Sequence, residues 1–199
     1  MNTTIRNRIE RIVTDLTHAI VKHGDDVRIE SDLDSGGTVL VFLTVNHGYM
    51  RAIVGSRGAN VQAFQQIIFA TGRQSGTQAR FVLEEPCVGV DETMPPFVPK
   101  TKFDHEPDRS MVSRIVSDIF DCPVTVESKS TGKISTTYFV TLPEGVPIAE
   151  ARIVANALNT LIHASGKARR GRHLFTRINV GDEPAQPENA DGRYATETR

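Results

Sequence analysis

Two glycines three positions apart, Gly55 and Gly58, enclose only Ser56 and Arg57 in the stretch RAIVGSRGANVQAFQQI. The apolar pair Ile53-Val54 precedes them, and Val61, Phe64, Ile67 and Ile68 follow at helical spacing. Two helical segments joined by so short a turn need glycine where the backbone bends sharply or must approach a ligand closely. The second helix begins with unbonded backbone N–H groups at the positive end of its dipole, which suits an anion. Arg57 adds a positive charge at the tip. A phosphodiester backbone could run across such a turn. By itself G-x-x-G is a weak signal, because many copies are turns and nothing more.

The other concentration of charge chemistry is GKARRGRH, with Lys167, Arg169, Arg170 and Arg172. Loops of this composition hold phosphates without reading sequence; a solvated basic turn is an equal reading. Formal net charge is −1, but its distribution is uneven. No Asp or Glu occurs from Ser35 to Leu83, where Arg51, Arg57, Arg73 and Arg80 give +4. None occurs from Ala151 to Gly181, where Arg152, Arg177 and the four basic loop residues give +6. Two basic surfaces on a neutral chain are expected. Catalytic patterns are missing: there is no G-x-x-x-x-G-K-[ST], G-x-S-x-G, H-E-x-x-H or C-x-x-C. The six histidines are scattered over different elements, and Cys87 and Cys122 have no metal-like spacing. The expectation is therefore no catalytic residue, no metal and no cofactor. Free thiols fit a reducing cytoplasm. The polar start MNTTIRNRIE does not read as a signal peptide, and no apolar run approaches membrane-spanning length.

The elements that would position the glycine turn follow from periodicity. A helix is predicted over Thr4–Lys22, with Ile5, Ile9, Ile12, Val13, Leu16 and Ile20 on one face. Strands are predicted at Val27–Asp32 and Thr38–Val45 around the turn DSGG, then a short helix at Tyr49–Val54. A longer helix over Asn60–Thr71 and a strand at Ala79–Glu84 complete the unit. The order then repeats. RIVTDL at 11–16 returns as RIVSDI at 114–119, and VFLTV at 41–45 returns as YFVTL at 138–142. IIFATGRQSGTQARFVL at 67–83 returns as LIHASGKARRGRHLFTRI at 161–178, with one extra loop residue. Matching order with offsets that change only at loops indicates a duplication. The expected domains are 1–85, a Pro-rich linker at 86–106, a second copy at 107–180 and an acidic, disordered tail at 181–199. Phe64, Ile68, Leu158 and Ile162 are expected in the core.

The order helix-strand-strand-helix-GxxG-helix-strand, with IVGSRG closing the short helix, resembles the type II K-homology (KH) domain over about Asn7–Glu84. The resemblance is to small bacterial KH proteins and implies an α+β fold of two tandem modules, each α-β-β-α-α-β around a three-stranded sheet. It implies that single-stranded RNA, messenger RNA foremost, is clamped by Gly55, Ser56, Arg57 and Gly58. Ile53 and Val54 would form a groove wall beneath the bases, with Arg51, Asn60, Arg73 and Arg80 as neighbouring contacts. The second copy departs from the pattern: Ala149 and Arg152 stand where the glycines would be, so it resembles a degenerate KH domain. Single-stranded DNA shares the same chemistry. An alternative is a protein-interaction or dimerisation module, with a homo-oligomer formed through the second copy; no membrane partner is expected.

Overall fold

The computed structural model describes residues 2–21, 27–84, 107–131, 135–168 and 173–181. The expected linker at 86–106 and all of the tail beyond Gly181 lie outside the described residues. The first half runs α1 (Asn2–Ile20), β1 (Val27–Leu33), β2 (Val39–Val45), α2 (His47–Val54), a 3-10 turn (Ser56–Gly58), α3 (Ala59–Gln74) and β3 (Ala79–Glu84). The second half runs α4 (Arg109–Phe120), β4 (Thr125–Thr131), β5 (Ser135–Leu142), α5 (Ile148–Ala168) and β6 (His173–Val180). This is an α+β architecture with two three-stranded sheets, ordered β1-β2-β3 and β4-β5-β6.

Each sheet is mixed: the first two strands pair antiparallel, and the third joins the central strand in parallel. The antiparallel pair needs only a tight turn. At Asp34 the side-chain Oδ1 accepts from the N–H groups of Gly36 (2.9 Å) and Thr38 (2.8 Å), which closes DSGG. The parallel pair needs a crossover, and α2 with α3 supplies it. β2 alternates buried and half-buried residues, so Val39, Val41, Leu43 and Val45 face the helices. The apolar face expected of α1 is buried throughout, as are Phe64, Ile68, Leu158 and Ile162.

The second half corrects one expectation. It has a single helix between β5 and β6 where two were expected. Only the five residues PEGVP, 143–147, separate β5 from α5, whereas residues 46–58 separate β2 from α3. So short a link cannot hold an eight-residue helix and a turn. The Pro147 carbonyl accepts from Ala151 N at 3.0 Å, so α5 starts at once. Ala149 and Arg152 therefore sit inside one continuous helix.

The two halves share one hydrophobic core, built where α1 and α3 pack on α4 and α5. The repeated Arg-x-x-x-Asp motif pairs across this seam. Arg11 donates to Asp118, with Nε at 2.6 Å from Oδ2, and Arg114 Nε donates to Asp15 Oδ2 at 2.8 Å. Each copy's arginine thus meets the other copy's aspartate, the reciprocity of a two-fold interface. Arg8 adds a bond from Nε to the Asp118 carbonyl (3.0 Å) and an ion pair with Asp121 (2.9 Å). At the other seam the last turn of α3 meets the first turn of α5, where Arg73 pairs with Glu150 at 3.0 Å and Gln74 also donates to Glu150. The helical face of the second copy is thus buried within the chain.

Candidate nucleic-acid interface

The turn at 55–58 is built by backbone conformations that side chains resist. Gly55 has φ 72° and ψ 178°, a region open essentially to glycine alone. A Cβ there would lie 2.6 Å from Asn60 Cγ and 2.9 Å from Asn60 N. Gly58 is left-handed, at φ 80° and ψ 11°, with open space where its Cβ would be. Arg57 is left-handed too, at φ 55° and ψ 29°, which costs an arginine about 1–2 kcal/mol. The Gly55 N–H closes α2 on the Arg51 carbonyl at 3.0 Å, and Gly58 N donates to the Gly55 carbonyl at 3.4 Å. Ser56 and Arg57 are exposed at the tip, and Arg51 is exposed one turn before it.

Two expected contacts are corrected by burial. Ile53 is fully buried, so it is core and not a groove wall. Asn60 is 6% exposed, and its Nδ2 donates to the Ala52 carbonyl at 2.7 Å. It braces the turn from behind and presents nothing to a ligand. Sequence spacing could not separate these inward side chains from the outward ones beside them. Val54 is half-buried next to the turn.

A groove lies between the outer side of α3 and the open edge of β3. It has a volume of about 450 Å³ and is lined by Gln62, Gln65, Gln66 and Phe69 of α3 with Arg80 and Phe81 of β3. Gln62 is four residues beyond Gly58, about 6 Å along the helix axis, so the groove opens one turn from the glycines. Phe81 stacks on Phe64 with ring centroids 5.1 Å apart, which gives the groove an aromatic floor. No acidic residue lines it. Amide side chains both donate and accept hydrogen bonds, so the glutamine row can match the edges of bases. Phe69 is 54% exposed. The row was legible in principle, since 62, 65, 66 and 69 share the helix side opposite the sheet-facing Phe64 and Ile68.

Arg80, expected from sequence, lines this groove. Its charge also contributes to Asp34, whose carboxyl is held below the usual range, first by the backbone bond from Thr38 and further by that from Gly36. Arg73 lies at the far end of α3, about 22 Å from Gly58 by helix rise. Its guanidinium sits 5.9 Å from the Phe69 ring centroid and pairs with Glu150. Lys167 falls in the last turn of α5. Arg169, Arg170 and Arg172 lie outside the described residues.

Among the described residues no group of three or more His, Cys, Asp or Glu side chains could hold a metal ion. No described helix is long and apolar enough to cross a membrane. No protein-family model matches the chain, and no curated protein matches it.

Proposed function

We propose that the chain binds single-stranded RNA through its first half, which works as a type II KH-like module. The observation that carries this reading is the continuity of the site. An exposed Gly-Ser-Arg-Gly turn leads within one helical turn into a groove with an aromatic floor, an amide row and no acid. The strand's phosphates cross the turn, where Arg57, Arg51 and the first N–H groups of α3 supply positive potential. The bases enter the groove, where Gln62, Gln65 and Gln66 meet their edges and Phe69 offers a ring. Arg80 extends the positive side of the path, whereas the charge of Arg73 is met by Glu150. Binding and not catalysis is the role these residues suit. Messenger RNA in the cytoplasm is the partner this reading implies, and contact with a 2′-hydroxyl is what would favour RNA over DNA.

The test is Ser56→Asp with Arg57→Asp, which keeps both glycines. Aspartate adopts the left-handed conformation of position 57 more readily than arginine does, so the fold should hold. One positive charge is lost and two negatives arrive. Each unit is worth on the order of 1 kcal/mol beside a phosphate about 4–6 Å away after screening, so affinity should fall about ten- to a thousand-fold. Titration of an unstructured single-stranded RNA at fixed salt, with the melting temperature measured alongside, reads both effects. A variant that melts normally and binds RNA like the parent overturns the proposal. A parent that binds without salt dependence would point to a protein partner instead.

A further inference from the structure

We propose that the second half holds a second contact for the same strand, a surface stack of His163, His173 and Phe175 on which bases lie. This inference rests on the RNA-binding reading above. The three rings form one assembly: His163 lies 5.7 Å from His173 and 5.5 Å from Phe175 by centroid, and each pair is within 29° of parallel. His173 and Phe175 are within 9° of parallel at 6.5 Å. His173 is exposed, and the other two are half-buried.

The location matters as much as the rings. Val41 corresponds to Tyr138 in the repeat, so the pairing of Leu40 with Arg80 corresponds to that of Thr137 with Phe175. Phe69 likewise corresponds to His163. The stack therefore occupies the place of the first half's groove. There the second half differs in a consistent way. Asn159 Oδ1 accepts from the edge N–H of Thr176 at 2.9 Å, which seals the strand edge that stays open beside Gln65 in the first half. A groove for base edges has become a ring platform for base faces. Platforms of this kind bind single strands without sequence preference, because every base has a π-face. The segment that carries the rings suits a polyanion: its sequence holds no acid from Ala151 to Gly181. A strand long enough to reach both halves would gain from the second contact, and a short one would not.

The experiment uses the full chain and two unstructured RNAs, one of about six nucleotides, enough for one clamp, and one of about twenty. His173→Ala should weaken the long RNA about ten-fold and leave the short one unchanged. His173→Phe keeps a ring and should bind the long RNA within about two-fold of the parent. His173 is exposed, so both variants should melt like the parent. If His173→Ala binds both RNAs like the parent while Ser56→Asp/Arg57→Asp loses binding, the stack is packing only and this inference falls alone. If His173→Phe loses as much as His173→Ala, the contact is charge and not stacking, which also overturns it. If Ser56→Asp/Arg57→Asp leaves binding intact, it is the RNA-binding reading itself that fails.

Discussion

Replacing each glycine of the turn with alanine should separate the two positions sharply. At Gly55 an alanine must hold φ 72° with ψ 178°, which costs about 1–3 kcal/mol for a residue with a side chain. Its Cβ would also stand 2.6 Å from Asn60 Cγ. Asn60 is buried and tied to the Ala52 carbonyl, so it can move only by giving up that bond, worth about 1 kcal/mol. The expected total for Gly55→Ala is about 2–4 kcal/mol. At Gly58 only the left-handed φ opposes the change, at about 1–2 kcal/mol, and alanine recovers about 0.4–1 of it by restricting the unfolded chain. For a chain of this size 1 kcal/mol moves the melting temperature by about 2–4 °C. Gly55→Ala should therefore lower it by roughly 4–16 °C, and Gly58→Ala by about 6 °C or less. Thermal and urea unfolding followed by circular dichroism measure both. Equal losses, or a Gly55→Ala protein within a degree of the parent, would refute the argument that Asn60 closes the turn from behind.

Two further outcomes follow from the ion pairs and from Asp34. Exchanging the partners in Arg11→Asp with Asp118→Arg should restore at least half of what either single change loses. Because the Arg11 side chain is 50% exposed, Arg11→Asp should cost only about 0.5–1 kcal/mol, and Asp118→Arg, at a side chain 13% exposed, should cost more; both are read by urea unfolding in a double-mutant cycle, and additive losses would show no coupling across the halves. Asp34 titrates below an ordinary aspartate, so its contribution is full above about pH 4 and is lost as pH falls through its lowered value. Asp34→Asn should flatten the parent's loss of stability below about pH 4, and an unchanged acid limb in the melting-temperature profile would count against the role given to the Thr38 bond.

The parts of the fold legible in the sequence were those fixed by period and by local turn chemistry. The α1 face from Ile5 to Ile20 repeats at helical spacing, and all of it is buried. The β3 bounds Ala79–Glu84 agree with the alternating pattern of that segment, whose partner β2 is specified by its own Val-Leu-Val-Phe-Leu run. What the sequence did not carry was direction. Ile53 and Val54 are adjacent and both apolar, yet one is core and the other half-buried beside the turn. Asn60 looks like a polar contact, but helix phase points it inward, under the Ala52 carbonyl. The glutamine row does not stand out in the sequence, because exposed amides look like ordinary helix surface until a strand edge is known to lie beside them. The Arg11–Asp118 and Arg114–Asp15 pairs were hidden for a related reason: RIVTDL and RIVSDI read as kinship between the copies, and only docking shows that the two motifs hold each other.

That docking gives a physical reason why a copy without the glycine turn is still needed. In the first half, α1 and α3 each present one apolar side to their own sheet and another to the second half, where α4 and α5 bury it. The second copy must therefore keep its helices for the first to bury those sides, and the Arg-x-x-x-Asp pairs add a small contribution at the rim of the seam. Nothing in that packing requires a turn between two short helices, because α5 reaches the same seam as one continuous rod from Ile148. The five-residue link PEGVP leaves no room for such a turn, and the shared core forms without it. The helix-to-edge surface of the second half is filled by Asn159 and the rings of His163, His173 and Phe175. In the first half the same surface stayed open beside Gly55–Gly58, and there the backbone strain at Arg57 persists. Strain of that kind is held at a position only when the surrounding structure fixes it, and here Asn60, α2 and α3 do so around the residue that points to solvent.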